Sequence, residues 1–371
     1  MTFERVDTAV VGGGQAGLAI SYYLTQQRRE HVVLDRADRV ASSWRDGRWD
    51  SFTLVTPNWT VRLPGFPYAG DAPDGFMTRS EVISHLERYA ASFKAPIRGG
   101  QHVTAVDPEA SGYSVVTASG VTYTATNVVV ATGSYQFPKP TALSAAMPAN
   151  LIQLHSNQYR RPDSLPPGAV LIVGSGDTGC QLTDELCESG RQVYLCVSRS
   201  GRRPRRYRGK DMAFWSLTLG KMDQTAAQLP NPGARFAANP HATGKNGGRT
   251  LSMHQFARDG VVLLGRLTGV SDGKIELAPD LQDSLAFADQ SSDDFKAEVD
   301  EFVLKTGFEA PDPEADPVDV VRSNAAKYIA TLDLGAAGIS TVIWANGYGF
   351  DFSWVHLPVL DDWGFPIQEQ G

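Results

Sequence analysis

Two glycine-rich turns of the same design stand about half the chain length apart. They read Gly12-Gly13-Gly14-Gln15-Ala16-Gly17 and Gly174-Ser175-Gly176-Asp177-Thr178-Gly179. Each follows a short β-branched run and opens a segment with a helical pattern. In such a strand–turn–helix unit the first glycine permits the tight turn, the second admits a pyrophosphate to the backbone N–H groups, and the third lets helix and strand pack closely. Two copies predict an α/β fold with two Rossmann-like domains, each of which binds a dinucleotide.

The residues after the next strand of each unit distinguish the two ligands. An acidic residue there accepts hydrogen bonds from ribose hydroxyls, whereas arginine and small polar residues accommodate a 2′-phosphate. The first such strand, 31–34, ends on Asp35, which favours FAD or NAD. The second, 193–197, ends on Ser198 and Arg199, which favours NADPH. The alternative is that Asp35 and Arg199 are ordinary charges at strand ends, but their spacing within each unit favours binding.

These patterns give two sets of expected cofactor contacts. The set for the first nucleotide is Gly12, Gly14, Gln15, Ala16, Gly17, Asp35 and Arg36. The set for the second is Gly174, Gly176, Asp177, Thr178, Gly179, Ser198 and Arg199.

Further patterns place the two domains along the chain. Capping-box spacing at Thr78 predicts a helix, and alternating segments at 103–106, 113–117 and 121–124 predict an antiparallel meander. A buried-type strand at 127–130 leads into Ala131-Thr132-Gly133, and a similar strand at 341–344 leads into Ala345-Asn346-Gly347. This layout predicts an NADPH domain inserted into an FAD domain, with the FAD domain in 1–160, the NADPH domain in 161–330 and a return to the FAD domain in 331–371. The arginine run 202–206 and the polar segment 280–294 are expected in loops or on solvated faces.

Composition is typical of a globular cytoplasmic enzyme. The net charge of −7 argues against a nucleic-acid partner, and neither a signal-peptide pattern nor a membrane span is recognisable. The three cysteines suit a reducing compartment, and no metal site is predicted. Cys180 and Cys187 lie seven residues apart on one helix, so we expect them to share its packing face. This spacing lacks the close cysteine pair of disulfide reductases and disfavours dithiol chemistry.

Several motifs resemble those of the flavin-containing monooxygenases, over nearly the whole chain. The segment from His155 to Arg160 is similar to the second half of their fingerprint F-x-G-x-x-x-H-x-x-x-Y/F, whereas Ala149 and Leu151 replace its phenylalanine and glycine. The motif at 131–133 matches the family's linker motif, and 345–348 resembles its second A-T-G-Y with asparagine in place of threonine. Segment 49–67 resembles the part that passes the flavin ring.

The resemblance implies roles for further residues. Asn58 matches the family's catalytic asparagine. Trp44, Trp49 and Trp59 would supply apolar walls near the flavin, and His155 would belong to the NADPH cleft. The remaining FAD contacts that it implies are Trp44, the main chain of Val103, and Ala131, Thr132 and Gly133.

The resemblance also implies an activity. NADPH would reduce FAD, and the reduced flavin would trap dioxygen as a C4a-(hydro)peroxyflavin that oxygenates a small molecule. Baeyer–Villiger relatives carry tryptophan where this chain has Tyr159, so oxygenation at nitrogen or sulfur is preferred. A flavin reductase or oxidase that does not oxygenate, and a non-catalytic nucleotide-binding protein, remain alternatives. We expect a truncated FAD domain, because relatives continue beyond the position of Gly371, and a homodimer is a further expectation.

Overall fold

The computed structural model describes residues 2–139, 141–316, 318, 322 and 328–368. The strands in this part of the chain are β1 Thr2–Val11, β2 His31–Leu34, β3 Arg62–Leu63, β4 Phe66–Pro67, β5 Ile97–Arg98, β6 Val103–Glu109, β7 Gly112–Thr117, β8 Val121–Val130, β9 Phe137–Pro138, β10 Ile152–His155, β11 Ala169–Val173, β12 Val193–Cys196, β13 Arg206–Tyr207, β14 Lys210–Asp211, β15 Val262–Leu264, β16 Leu267–Ser271, β17 Lys274–Leu277, β18 Thr331–Asp333, β19 Ile339–Trp344 and β20 Tyr348–Gly349. The helices are α1 Gln15–Gln26, α2 Ser42–Asp46, α3 Arg79–Ser92, α4 Ala142–Ala145, α5 Asp177–Glu188, α6 Met212–Thr218, α7 Met253–Arg258 and α8 Leu281–Thr306. Within these ranges, every helix is too short or too polar to cross a bilayer.

The first compact unit is built on a six-stranded sheet. Its strand order is β5-β2-β1-β8-β7-β6, in which β1 pairs in parallel with both β2 and β8. The pairs β6–β7 and β7–β8 are antiparallel, which confirms the predicted meander. The capping box is also confirmed, because Thr78 and Glu81 bond reciprocally at the start of α3.

One strand expectation in this unit is wrong. Residues 127–130 do not form a separate buried strand but are the last part of β8, and Val130 is 38% exposed. They lie at the carboxyl end of a strand that pairs in parallel with β1, where open α/β sheets form their ligand crevice. Hydrophobic residues at such a strand end need not be buried.

The second compact unit has a five-stranded, fully parallel sheet of order β10-β19-β11-β12-β15. Parallel strands covered on both faces are continuously hydrophobic, as in Val170-Leu171-Ile172, which are fully buried. Helix α5 contributes Cys180, Leu182 and Leu186 to the same core. Cys187 packs against this cluster too, so the predicted packing role of the two cysteines is confirmed.

The two units are interleaved along the chain. Unit 1 comprises Met1–Arg48, Asn58–Lys139 and Gly347–Glu369, and unit 2 comprises Trp49–Pro57, Pro140–Asn346 and the last two residues. The second unit is therefore inserted into the first, but its boundaries differ from the expected 161 and 330. The reason is that β10 and β19 pair within the second sheet, while Trp49 packs into the core of the second unit.

Two regions expected in loops or on solvated faces are partly buried. Residues 281–306 form the long helix α8, and the polar segment 280–294 contributes Leu281, Leu285 and Asp289 to its buried face. In the arginine run, Arg202 and Arg205 are only 2% exposed. Both are compensated by carboxylates, Asp289 for Arg202 and Asp211 for Arg205. The sequence did not predict this burial, because both segments are rich in charged residues. The carboxylates that pair with the buried arginines cannot be identified from the neighbouring sequence.

Candidate cofactor-binding sites

The three glycines of the first turn have different surroundings. Gly12 has φ +110°, and a Cβ there would overlap the carbonyl oxygen of Ala131. A Cβ on Gly17 would overlap the carbonyl oxygen of Gly12, so helix α1 can pack this closely on β1 only with glycine at position 17. At Gly14, by contrast, no atom lies within 4 Å of the Cβ position. This open surface is where the pattern expects a pyrophosphate.

The N-terminus of α1 faces this open surface without a side-chain cap. Its N-cap is Gly14, and its first turn holds no acidic residue. Gly14, Gln15 and Ala16 are all exposed. The first N–H groups of a helix have no intrahelical partner and lie at the positive end of its dipole. The arrangement fits the diphosphate of FAD.

Asp35 lies at the end of β2, beside the turn. Its Oδ2 accepts a hydrogen bond from the Gly13 N–H at 2.6 Å, and its Oδ1 accepts one from the Ala37 N–H at 2.8 Å. Each carboxylate oxygen can accept more than one hydrogen bond. Asp35 therefore fixes the turn and keeps acceptor capacity for ribose hydroxyls, while its neighbour Arg36 is exposed.

The second turn reproduces the first. Gly174 has φ +107°, and a Cβ there would lie 2.6 Å from the carbonyl oxygen of Ala345. A Cβ on Gly179 would overlap the carbonyl oxygen of Gly174, whereas the nearest atom to the Cβ position of Gly176 is 3.9 Å away, on Ala238. Ala131 and Ala345, the first residues of the two A-x-G motifs, thus close the two turns in the same way.

A buried polar network that sequence reasoning missed braces the second turn. Ser175 Oγ accepts from the Ser198 N–H at 2.9 Å, and Ser200 Oγ donates to the Ser175 carbonyl at 2.9 Å. His241 Nε2 lies 2.8 Å from Ser200 Oγ, and burial lowers the pKa of His241 to about 4. Because the Ser200 hydroxyl donates its single proton to the Ser175 carbonyl, the neutral imidazole donates its Nε2–H to Ser200. The one hint of this network in the sequence is Ser175, the small polar residue between Gly174 and Gly176.

Asp177 has a structural contact of its own. Its Oδ1 accepts from the Ala242 N–H at 2.7 Å, which pins segment 238–243 to the start of α5. Burial raises the pKa of Asp177 to about 7, although the Ala242 hydrogen bond and Arg205 act in the opposite direction. Thr178 follows it in the first turn of α5 and is half-buried.

Arg199 follows β12 and is itself exposed, next to the half-buried Ser198. Its guanidinium carbon lies 4.2 Å from the ring centroid of Phe287. Among the described residues, no carboxylate pairs with Arg199, in contrast to Arg202 and Arg205. Its hydrogen-bond donors are therefore available, and they fit a 2′-phosphate.

The structure gives Asn58 a loop-clamping role. Its Nδ2 donates to the Ala72 carbonyl at 2.9 Å, and its Oδ1 accepts from the Met77 N–H at 2.7 Å. The side chain is 4% exposed. Both ends of the amide thus fix segment 72–77, and the catalytic assignment of Asn58 stays a prediction.

The other residues implied by the resemblance occupy varied places. Val103 is buried at the start of β6, Ala131 and Thr132 are half-buried after β8, and Gly133 is exposed with φ +70°. Trp44 is half-buried in α2, 5.7 Å from the Arg48 guanidinium. All the expected FAD contacts lie in unit 1, and all the expected NADPH contacts lie in unit 2.

The fingerprint segment builds the interior of unit 2. Tyr159 is fully buried, and its hydroxyl donates to Glu185 of α5 at 3.1 Å. Ser51 bonds the other oxygen of the same carboxylate. His155 is buried beside Asn157, with 3.1 Å between Nδ1 and Oδ1. These contacts attach segment 49–57 and the fingerprint to α5.

The three cysteines are free thiols. Burial raises the pKa of each of them, to about 12 for Cys196. Thiols of this kind are poor nucleophiles, which argues against dithiol chemistry. In the described ranges, no group of three or more His, Cys, Asp or Glu side chains could hold a metal ion.

The chain is similar to several known proteins. A family model described as pyridine nucleotide-disulphide oxidoreductase matches residues 9–215. An uncharacterised CzcO-like oxidoreductase of Geobacillus kaustophilus is 30% identical over 99% of this chain and 87% of its own. Indole-3-pyruvate monooxygenase YUCCA1 of Oryza sativa is 25% identical over 82% of this chain and 77% of its own.

A solved structure shares the fold. It is a flavin-containing monooxygenase from Stenotrophomonas maltophilia, with a TM-score of 0.64 and 18% identity over 99% of this chain and 86% of its own. The family model covers more than half of this chain. The chain therefore belongs to the pyridine nucleotide-disulphide oxidoreductase family.

Proposed function

We propose that this protein oxygenates a small molecule at nitrogen or sulfur, with NADPH as the electron donor and dioxygen as the oxidant. The observation that carries the proposal is the pair of glycine-rich turns, 12–17 and 174–179, which we call the two cradles. The strand that follows each cradle leads to Asp35 in one unit and to Arg199 in the other. One cradle suits a nucleotide with free ribose hydroxyls, and the other suits a 2′-phosphate. The three free thiols fit the reducing cytoplasm as its location.

The chain's own residues would bind and orient the two cofactors. The N–H groups that follow Gly14 and Gly176 would hold the two pyrophosphates, and Asp35 would orient the FAD ribose. When bound, FAD accepts hydride from NADPH and activates dioxygen by the route that the resemblance implies. In the balanced reaction NADPH supplies two electrons, one oxygen atom enters the substrate, and the other leaves as water.

Tyr159 supports oxygenation at nitrogen or sulfur over the Baeyer–Villiger reaction. Its position in the fingerprint holds tryptophan in Baeyer–Villiger relatives. Here the phenol is fully buried and bonded to Glu185, so the pocket around it is shaped for tyrosine. Replacing a fully buried phenol with a larger indole would require its neighbours to rearrange.

The experiment that tests this function compares electrons consumed with oxygen transferred. Purified FAD-loaded protein is mixed with NADPH and a panel of sulfides, amines and cyclic ketones, and NADPH loss, hydrogen peroxide and oxygenated product are quantified together. We expect product from sulfides or amines in near proportion to NADPH. Lactones from the ketones would instead show a Baeyer–Villiger enzyme.

A second candidate is an NADPH oxidase that reduces dioxygen to hydrogen peroxide. It is favoured by Asn58, whose amide is bonded to Ala72 and Met77 of its own loop. If Asn58 also supports oxygen transfer, Asn58→Ala should leave NADPH oxidation intact and lower coupling by up to roughly a hundredfold. The change would be read as the ratio of peroxide to NADPH.

Asn58→Asp separates the clamp from a catalytic role. The aspartate keeps the acceptor for the Met77 N–H but loses the donor for the Ala72 carbonyl. If both variants bind FAD and keep the wild-type ratio of peroxide to NADPH, Asn58 has no catalytic role. If the wild type also releases all its electrons as peroxide with every substrate in the panel, the oxidase is the correct function.

A further inference from the structure

Helix α8 supports the loop that carries Arg199. Asp289 of the helix pairs with Arg202 at 2.5 Å, and the ring of Phe295 lies 4.8 Å from the Arg203 guanidinium carbon. A Cβ on Gly201 would lie 2.6 Å from Ser291 Oγ, so the loop backbone also passes close to the helix. Loop 199–203 is therefore held against α8 at several points, and Phe287 contacts its first residue, Arg199.

Phe287 contacts Arg199 in a way that preserves the arginine's hydrogen-bonding capacity. The guanidinium carbon lies 4.2 Å from the ring centroid, which is within stacking distance. Stacking uses the face of the guanidinium plane, while its five N–H groups point outward from the edge of that plane. The phenylalanine is 36% exposed, so its ring lies at the surface where a ligand can reach the arginine.

We propose that Phe287 is a positioning residue that determines the preference for NADPH over NADH, because it holds Arg199 ready for the 2′-phosphate. The inference rests on the proposed role of Arg199 in binding that phosphate. A flexible arginine loses side-chain freedom when it binds a phosphate, and an arginine already stacked on a ring loses less. The selectivity therefore depends on a helix about ninety residues away in the sequence.

The direct test measures binding of adenosine 2′,5′-bisphosphate and of 5′-ADP to the FAD-loaded protein by calorimetry. Phe287→Leu should weaken binding of the bisphosphate roughly three- to tenfold and leave binding of 5′-ADP unchanged. Phe287→Tyr retains an aromatic face and should restore the wild-type affinity. Leu304→Ala, at an 85% exposed site on the same helix, is the matched control and should have no effect.

Arg199→Ala separates the two levels of the argument. If this variant still prefers the bisphosphate over 5′-ADP, the role of Arg199 itself is wrong. If Arg199→Ala loses the preference but Phe287→Leu keeps it, only the role of Phe287 is wrong. In the double variant, Phe287→Leu should add nothing to the loss caused by Arg199→Ala. Equal weakening of both nucleotides by Phe287→Leu would show a general structural effect and overturn the inference.

Discussion

Gly14 and Gly17 lie three residues apart in the first turn, and the structure gives them different functions. Gly17 is required by the packing of α1 on the turn, whereas Gly14 borders open surface. Gly14→Ala should therefore fold normally but lose FAD, because its Cβ would occupy the space that the pyrophosphate needs. Gly17→Ala should destabilise the fold by about 3 kcal/mol or more. Flavin absorbance and chemical denaturation measure the two effects.

The second unit offers a matched control for Gly14→Ala. Gly176→Ala has the same environment at the other turn, so this variant should stay yellow and lose affinity for NADP⁺. A fully flavinylated Gly14→Ala protein would mean that the first turn does not hold the flavin diphosphate.

Asp177 should make stability depend on pH. Its pKa in the folded protein is about 7 and its ordinary value is 3.8, so the folded state keeps a proton that the unfolded state releases between these values. Its contribution to stability is thus largest at low pH and is lost as pH rises from about 4 to about 7, by up to roughly 1.4 kcal/mol per pH unit. Asp177→Asn keeps the acceptor for Ala242 without the titration. Its stability relative to the wild type should therefore increase across that window in urea unfolding followed by circular dichroism.

The exposed Asp71→Asn serves as the control for this measurement. If the Asp177→Asn and wild-type stabilities differ by a constant amount from pH 4.5 to pH 8, Asp177 does not titrate as described.

At the residue scale, the sequence predicted positions defined by local spacing better than contacts from distant segments. Asp35 and Arg199 follow from spacing within a strand–helix–strand unit, and both stand at strand ends as expected. His241 and Phe287 were not predictable, because each reaches the second site from a distant segment. No local pattern reports such contacts. Asp177 is predicted as a cofactor contact and Asn58 as a catalytic residue. Both side chains bond backbone groups, contacts that the sequence did not predict, and both roles stay predictions.

At the element scale, the strands and the glycine-turn helices were predictable and α8 was not. The β-branched runs and the meander have simple periodicities. In α8 the buried face includes Ser284, Asp289 and Ser292, so the apolar period is interrupted where the helix meets buried cations. Asp289, which pairs with Arg202, occupies a buried position where the periodic pattern of a helix would have a hydrophobic residue.

The ion pair between α8 and the arginine loop should be a large contributor to stability. Asp289 accepts from Arg202 at 2.5 Å and from His254 at 2.9 Å. Burial favours protonation of this carboxyl, but the hydrogen bonds from His254 and Arg202 outweigh it and hold the pKa of Asp289 at about 2. Asp289→Ala would remove the carboxylate that pairs with the buried Arg202, at a cost of about 3–5 kcal/mol. Its effect on the free energy of unfolding is measured by urea denaturation near pH 7.

Asp293→Ala on the same helix is the control, since this residue pairs with Arg322 at a half-exposed site and should cost no more than ~1 kcal/mol. Because the pKa of Asp289 is lowered from 3.8, its stabilisation is present above about pH 4 and is lost as pH falls towards 2. Equal costs for the two variants would contradict a dominant buried pair.

At the scale of the whole molecule, each cradle is contained within one compact unit. The residues expected to bind FAD lie in unit 1 and those expected to bind NADPH lie in unit 2, although the chain passes from one unit to the other several times. The order of insertion was predictable from the repeated motifs. The boundaries were not, because the pairing of β10 and β19 depends on a strand partner nearly two hundred residues away.

Because each cradle lies within one unit, we expect each ligand to protect only its own cradle from hydrogen–deuterium exchange. Adenosine 2′,5′-bisphosphate should slow hydrogen–deuterium exchange in peptides that cover 174–179 and 198–203, because a ligand stabilises the state that binds it. Peptides covering 12–17 should be unchanged by this ligand and protected by FAD. Protection of 12–17 by the bisphosphate alone would show that it binds at the first turn.

The closure of both turns by a main-chain oxygen has a consequence for how such sequences diverge. The atoms that confine Gly12 and Gly174 are the carbonyl oxygens of Ala131 and Ala345, and the next residue is threonine in one case and asparagine in the other. A substitution at that next position leaves the close contact between the carbonyl oxygen and the glycine unchanged. A substitution of either glycine would make its Cβ overlap that oxygen. The geometry thus constrains the backbone path at these positions but not the side chain that follows it. Distant homologues should keep the two paths after the A-T-G letters have disappeared.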